Sequence, residues 1–324
     1  MSTNTSIPGS AAGFAAQRFF KTWGTLLGFV FLVLLFSALR PDAFAQLRNF
    51  RNLIEQVATL AIASAGVGMV MVTGDFDLSV GAVASLAGVI VASLLVAGIG
   101  IPAAIAITLL VGAGIGAVNG LIIAYAGVSP FIGTLAAMTS YTGLALFVTR
   151  GTTIFGMPAA FRWFGQGSVG PIPVPVIVMG GVIGITWILL DFTTFGRRLY
   201  AIGGNRQAAY LAGINTQRAR FLAYVYSGVT ASISGIVLTS RLFSAHPQAA
   251  APFMLNAAAA VFLGMTAFRD GQANVFGTLL GVLIMGVLSN GLNIVGVDTY
   301  IQSVLTGAIL VLAVLLSGLS QRSR

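Results

Sequence analysis

Cysteine is absent from this 324-residue chain, and lysine, histidine and glutamate each occur once. Without cysteine there is no disulfide framework, no thiolate nucleophile and no thiolate metal site. The lone lysine, Lys21, lies in the N-terminal segment. A phosphate-gripping Gly-x-x-x-x-Gly-Lys-Ser/Thr loop therefore cannot form, and the chain is not expected to hydrolyse ATP itself. His246 stands before Pro247 with no carboxylate cluster in its sequence neighbourhood, so no metal site is expected. No Ser/His or His/carboxylate constellation at credible spacing points to an enzyme. Charged residues of both signs make up only 7% of the chain, against 57% hydrophobic residues and a mean hydropathy of +0.98. That excludes a soluble domain of ordinary composition and implies an integral membrane protein surrounded by lipid. The net charge of +9 comes from arginines scattered between apolar runs, which form no single basic face for nucleic acid.

What the chain has instead is apolar runs. They lie near 23–39, 52–73, 80–98, 101–125, 131–149, 174–191, 220–240, 254–268, 273–294 and 299–318. At roughly 20 residues per span, the expected fold is all-α: a polytopic membrane helix bundle of about ten transmembrane helices. The runs at 74–81 and 254–268 are the places where a re-entrant or tilted segment would alter that count. Residues 1–22 read as a polar, mobile cytoplasmic N-terminus and 23–324 as one transmembrane domain. Ala43 to Gln46 offers a cleavage-like Ala-x-Ala pattern, but the preceding run is long enough to span, so it is read as an uncleaved first helix. With the N-terminus inside and ten spans, ten basic residues fall on the cytoplasmic side and six outside. This agrees with the positive-inside rule and places both termini in the cytoplasm.

The longest polar interval, residues 193–220, carries five arginines. Asn205 occupies an N-cap position and Gly213 a left-handed C′ position, which delimits a helix over Arg206 to Ala212. Two turns at ~1.5 Å per residue are too short to be stable alone, so this helix is expected to dock on something. In TGDFDLSVG, Asp75, Asp77, Ser79 and Gly81 mark a break between apolar helices, with the two carboxylates read as caps of the helix starting at Val80. Gly112, Gly116 and Gly120 share one helix face, and Gly277 and Gly281 repeat the spacing, as expected of packing seams. Asn119, Asn256, Asn290 and Asn293 are amides near membrane depth, to be satisfied by interhelical hydrogen bonds or by a wet solute pathway. Residues 150–173, with Arg162 among Phe161, Trp163 and Phe164, suit an interfacial helix on the outer side.

Four stretches carry a resemblance: FGRRLYAIGGNRQAAYLAGI, VTGDFDLSVGAVASLAG, GVSPFIGTLAAMTSYTGLA and FGTLLGVLIMGVLSNGLNIVGV. They occur in one order and cover most of the chain after residue 50. The chain thereby resembles the ribose-type (monosaccharide) permease subunits of bacterial ABC importers. The resemblance implies a multi-pass inner-membrane permease for a monosaccharide or related polyol. Its implied partners are a cytoplasmic ATP-binding subunit, a soluble substrate-binding protein and a second permease chain, identical or similar, with ATP held by the partner subunit and no cofactor by this chain. It also implies that Gly203, Gly204, Asn205, Arg206, Ala208, Ala209, Leu211 and Gly213 contact the ATPase. Two departures stand out: Asp75-Phe76 replaces the more common Gly and Ile, and Met254 and Asn256 stand where relatives often carry Glu and Asp. The alternatives are permeases for nucleosides or branched-chain amino acids, or an ion-coupled secondary transporter. The last usually needs ionisable groups inside spans, whereas the seven acidic residues here fall at or near span ends.

Overall fold

The computed structural model describes residues 11–268 and 271–322. Within them the chain forms α1 (Ala11–Leu39), α2 (Leu47–Val72), α3 (Val80–Val96), α4 (Ile101–Gly120), α5 (Pro130–Thr149), α6 (Trp163–Gln166), α7 (Val174–Trp187), α8 (Thr194–Gly204), α9 (Arg206–Leu211), α10 (Thr216–Leu242), α11 (Phe253–Met265), α12 (Val275–Val295) and α13 (Thr299–Arg322). Two-residue strands β1 (Ser168–Val169) and β2 (Ile172–Pro173) pair antiparallel, Val169 opposite Ile172. The architecture is thus nearly all-α. Residues 1–10, part of the segment read as a mobile N-terminus, lie outside the described residues.

Among the described residues, six stretches are long and apolar enough to cross a membrane: α2, α4 with its π-helical extension Leu121–Tyr125, α5, α7 with its extension Ile188–Phe192, α10 and α12. Gly24–Leu39, Val80–Val96, Phe253–Met265 and Tyr300–Val311 are apolar but shorter. Proline opens α4, α5 and α7 in the first turn, where its missing N–H would have had no intrahelical partner.

The bundle is assembled around α10, which packs against α2, α3 and α4. Its inward residues are small: Ser227, Gly228, Ala231, Ser232, Ser234 and Gly235 are all buried. Lipid offers no hydrophobic drive for helices to associate, so stability comes from close backbone approach and interhelical hydrogen bonds. A Cβ on Gly228 would collide with the Gly112 carbonyl and the Gly116 backbone, and one on Gly235 with the Ala84 carbonyl. Gly112, Gly116 and Gly120 face α10, while Gly277 and Gly281 meet the backbone of Gly264 and Ala260 on α11. Ser234 adds a hydrogen bond from its Oγ to the Thr59 carbonyl, 2.8 Å.

Candidate functional site: a clamped helix at the α2–α3 break

The polar interval is built in two steps. Thr193 caps α8, its Oγ1 accepting from Gly196 N at 3.2 Å. Leu199 and Ile202 of α8 are buried, and Gly203 lies so close to the end of α2 that a Cβ would strike the Val72 carbonyl. Asn205 then turns extended, at φ −157°, and its Oδ1 accepts from Ala208 N at 3.0 Å, starting α9. At the other end Gly213 takes φ +80°. Ile214 N donates to the Ala209 carbonyl at 3.1 Å and Gly213 N to the Tyr210 carbonyl at 2.9 Å. This is a Schellman closure, which leaves few terminal backbone groups of α9 unsatisfied. Arg218 and Arg220 belong to the first turns of α10 rather than to a loop.

One face of α9 is held and the other is free. Ala209 is buried, whereas Ala208 is exposed and Tyr210 and Leu211 are 68% and 76% exposed. Arg206, the first residue of α9, donates from Nη2 to Asp75 Oδ1 at 2.7 Å. Arg220 donates from Nε to the other oxygen of the same carboxylate at 2.6 Å. Asp75 is only 1% exposed, and the Arg220 side chain is 8% exposed. A single buried carboxylate therefore joins the α2–α3 break, the start of α9 and the start of α10.

This corrects the capping expectation for Asp75, whose two oxygens are taken by the arginines. Asp77 does act locally: its Oδ1 accepts from Ser79 N at 3.0 Å and from Ser79 Oγ at 2.6 Å. Its Oδ2 accepts from Ser227 Oγ of α10 at 2.6 Å. Asn119 Nδ2 donates to Ser79 Oγ at 2.9 Å, and Tyr141 Oη donates to Asn119 Oδ1 at 2.9 Å. Tyr224 Oη reaches the Phe76 carbonyl at 3.1 Å. Gly81 lies against the Ala250 carbonyl, where a Cβ would come within 2.6 Å. The break is thus a satisfied polar knot tied to α4, α5 and α10, in which each carboxylate oxygen already has a protein partner.

The remaining amides separate. Asn290 exchanges two 3.0 Å hydrogen bonds with Asn49, joining α12 to α2. Asn293 Oδ1 accepts from Gln302 Nε2 of α13 at 2.7 Å. The Asn256 side chain instead lines a cleft. No group of His, Cys, Asp and Glu suited to a metal occurs among the described residues. In the 150–173 segment, a short 3-10 turn (Ala159–Arg162) and α6 lie where the interfacial helix is expected, with the Arg162 guanidinium 3.9 Å above the Phe243 ring. Arg220, Ser227, Tyr141 and Tyr224 were not singled out from the sequence as site residues. Among them only Arg220 gave a signal, as one of the five arginines of the 193–220 interval, standing directly before an apolar run.

The family described as "Branched-chain amino acid transport system / permease component" matches residues 49–314. The ribose import permease protein of Bacillus subtilis is 43% identical, over 90% of this chain and 91% of its own. The D-allose transport system permease protein of Escherichia coli is 34% identical, over 93% of each chain. The xylose transport system permease protein of the same organism is 32% identical, over 90% of each. No solved structure matches the chain.

Proposed function

Because the chain belongs to the branched-chain amino acid transport system / permease component family, we propose that α9 is the element through which an ATP-binding subunit drives it. The chain is a multi-pass inner-membrane permease subunit of an ABC importer for monosaccharides and is not an enzyme. Family membership implies an ATP-binding subunit and a substrate-binding protein as partners. ATP belongs to the partner subunit, and the permease works beside a second copy of itself or a similar chain. The monosaccharide reading is preferred over branched-chain amino acids, despite the family's description, because the relatives named for their solutes carry ribose, allose and xylose.

The observation that carries the coupling role is the two-sided character of α9. A helix of six residues has no stability of its own. Here Asn205 and Gly213 close its ends and Asp75 fixes its first residue, while Tyr210 and Leu211 point an apolar face outward. A push on that face is delivered through Arg206 and Arg220 to the α2–α3 break and to α10. Gly203 allows α8 to approach the end of α2 before the chain turns into α9. With the four shorter apolar helices included, the bundle has ten spans, both termini and α9 cytoplasmic, and residues 150–173 outside, facing the binding protein.

This arrangement has a direct test, aided by the absence of native cysteine. Ser168 and Gln207 are both exposed. A cysteine at position 168 is expected to react with an impermeant thiol reagent in intact cells. One at 207 should react only after permeabilisation, and more slowly once the ATP-binding subunit is bound. Labelling of 207 but not 168 in intact cells would reverse the orientation and remove α9 from the ATPase's reach.

A further inference from the structure

At the end of α10 remote from Arg220, helices α2, α10, α11 and α12 surround a cleft of about 140 Å³. Its polar lining includes Gln56, Arg241, Asn256 and Ser289, and its apolar wall includes Phe253 and Met285. Elsewhere in the bundle, many polar side chains are spent on the protein, although the Ser64 and Ser232 hydroxyls are buried without a partner. Thr108, Thr186 and Ser93 donate to carbonyls one turn back, and Asn119 and Asn290 are tied across helices. The side chains of Gln56, Asn256 and Ser289 form no hydrogen bond with the described residues, and none is among the fully buried groups without a partner. Their polar atoms are therefore left to whatever fills the cleft. At membrane depth that means water or a solute, because an unpaired amide in hydrocarbon is expensive.

We propose that this cleft is a binding site for a neutral polyhydroxylated solute on its way through the permease. The proposal rests on the monosaccharide reading above and adds the place where the sugar is held. Size and donor set agree on it. At roughly 10–15 Å³ per water-sized probe, the cleft holds on the order of ten such positions, and an aldopentose has about ten non-hydrogen atoms. Two amides and a hydroxyl each offer both donor and acceptor, which matches sugar hydroxyls better than an anion or a lipid tail. Arg241 adds guanidinium N–H donors to the same lining, which sugar hydroxyls can accept. Phe253 supplies an aromatic surface for the apolar face of a pyranose or furanose ring. Asn256 adds an uncharged donor and acceptor to the lining.

The test uses the complete importer, with its ATP-binding subunit and binding protein, reconstituted in vesicles and offered D-ribose, D-allose and D-xylose singly. Asn256→Leu is expected to cut uptake of the best-transported sugar by about tenfold, the equivalent of one lost hydrogen bond to a neutral group. It should also change the ratio among the three sugars, which a defect in folding or assembly would lower alike. Independently, Ser289→Cys should react with a small thiol reagent, and the reaction should slow when millimolar amounts of the transported sugar are present. Wild-type rates and ratios in Asn256→Leu, or an equal fall for all three sugars with no protection of the cysteine, would overturn the site while leaving the importer reading in place. An assembled wild-type complex that transports none of the three would sink the monosaccharide reading and this site with it.

Discussion

Uptake should fall by a hundredfold or more when Asp75 is replaced by asparagine, because breaking a buried ion pair and leaving its partner charged costs about 3–5 kcal/mol. The stranded partner is Arg220, whose side chain is 8% exposed. The purified protein should lose thermal stability along with transport. Stability and coupling separate in a second variant. The Arg206 side chain is 47% exposed, so its ion pair with Asp75 should contribute no more than about 1 kcal/mol after solvent screening. Arg206→Gln is therefore expected to leave the melting temperature nearly unchanged while lowering uptake by about tenfold or more, since it cuts α9 from the α2–α3 break. If Arg206→Gln transports at the wild-type rate, Asp75 serves only to neutralise Arg220, and α9 is driven by some other contact.

The other large effect is expected at the ends and free face of α9. Proline at 213 is locked near φ −65°, whereas Gly213 sits at +80° and donates its N–H to the Tyr210 carbonyl. Proline at 205 meets the same conflict at φ −157° and removes the acceptor that caps Ala208 N. Each should abolish transport while the permease still inserts, because neither position lies in an apolar span. Leu211→Asp is the surface probe: 76% exposed, it is expected to stop uptake and the sugar-dependent rise in ATP hydrolysis with no change in accumulation. A charge reversal at Arg206 is a poorer probe of the surface, because glutamate there would face the buried Asp75 carboxylate. Full transport and full ATPase stimulation in Leu211→Asp would mean that α9 is only a solvated turn.

These two results depend on different parts of the chain being legible in advance. The ends of α9 are written locally, in an amide and a glycine eight residues apart, and geometry places both where short-range capping rules put them. The glycine seams are equally local, since a four-residue spacing fixes a helix face. Asp75 is the instructive departure. A carboxylate just before an apolar helix satisfies the local rule for an N-cap, but two arginines, one of them 145 residues away along the chain, take it instead. No periodicity in the sequence announces that pairing. The cleft was half legible: Asn256 was marked as an amide needing a partner or a pathway, while Gln56 and Ser289 look like ordinary polar residues until four helices bring them together. The span count is unsettled by sequence for a related reason. Helices of 17 and 13 residues, α3 and α11, are short for a membrane, and their places depend on neighbours that composition does not encode.

Sugar is expected to move through this permease on the energy of ATP hydrolysed by another subunit and delivered at α9. The most direct test is uptake into vesicles carrying the permease, the ATP-binding subunit and the sugar-loaded binding protein, with and without ATP and with and without a protonophore. Accumulation should require ATP and the ATP-binding subunit and be unaffected by the protonophore. Accumulation by the permease alone, driven by a proton gradient and abolished by the protonophore, would contradict this and point to an ion-coupled transporter.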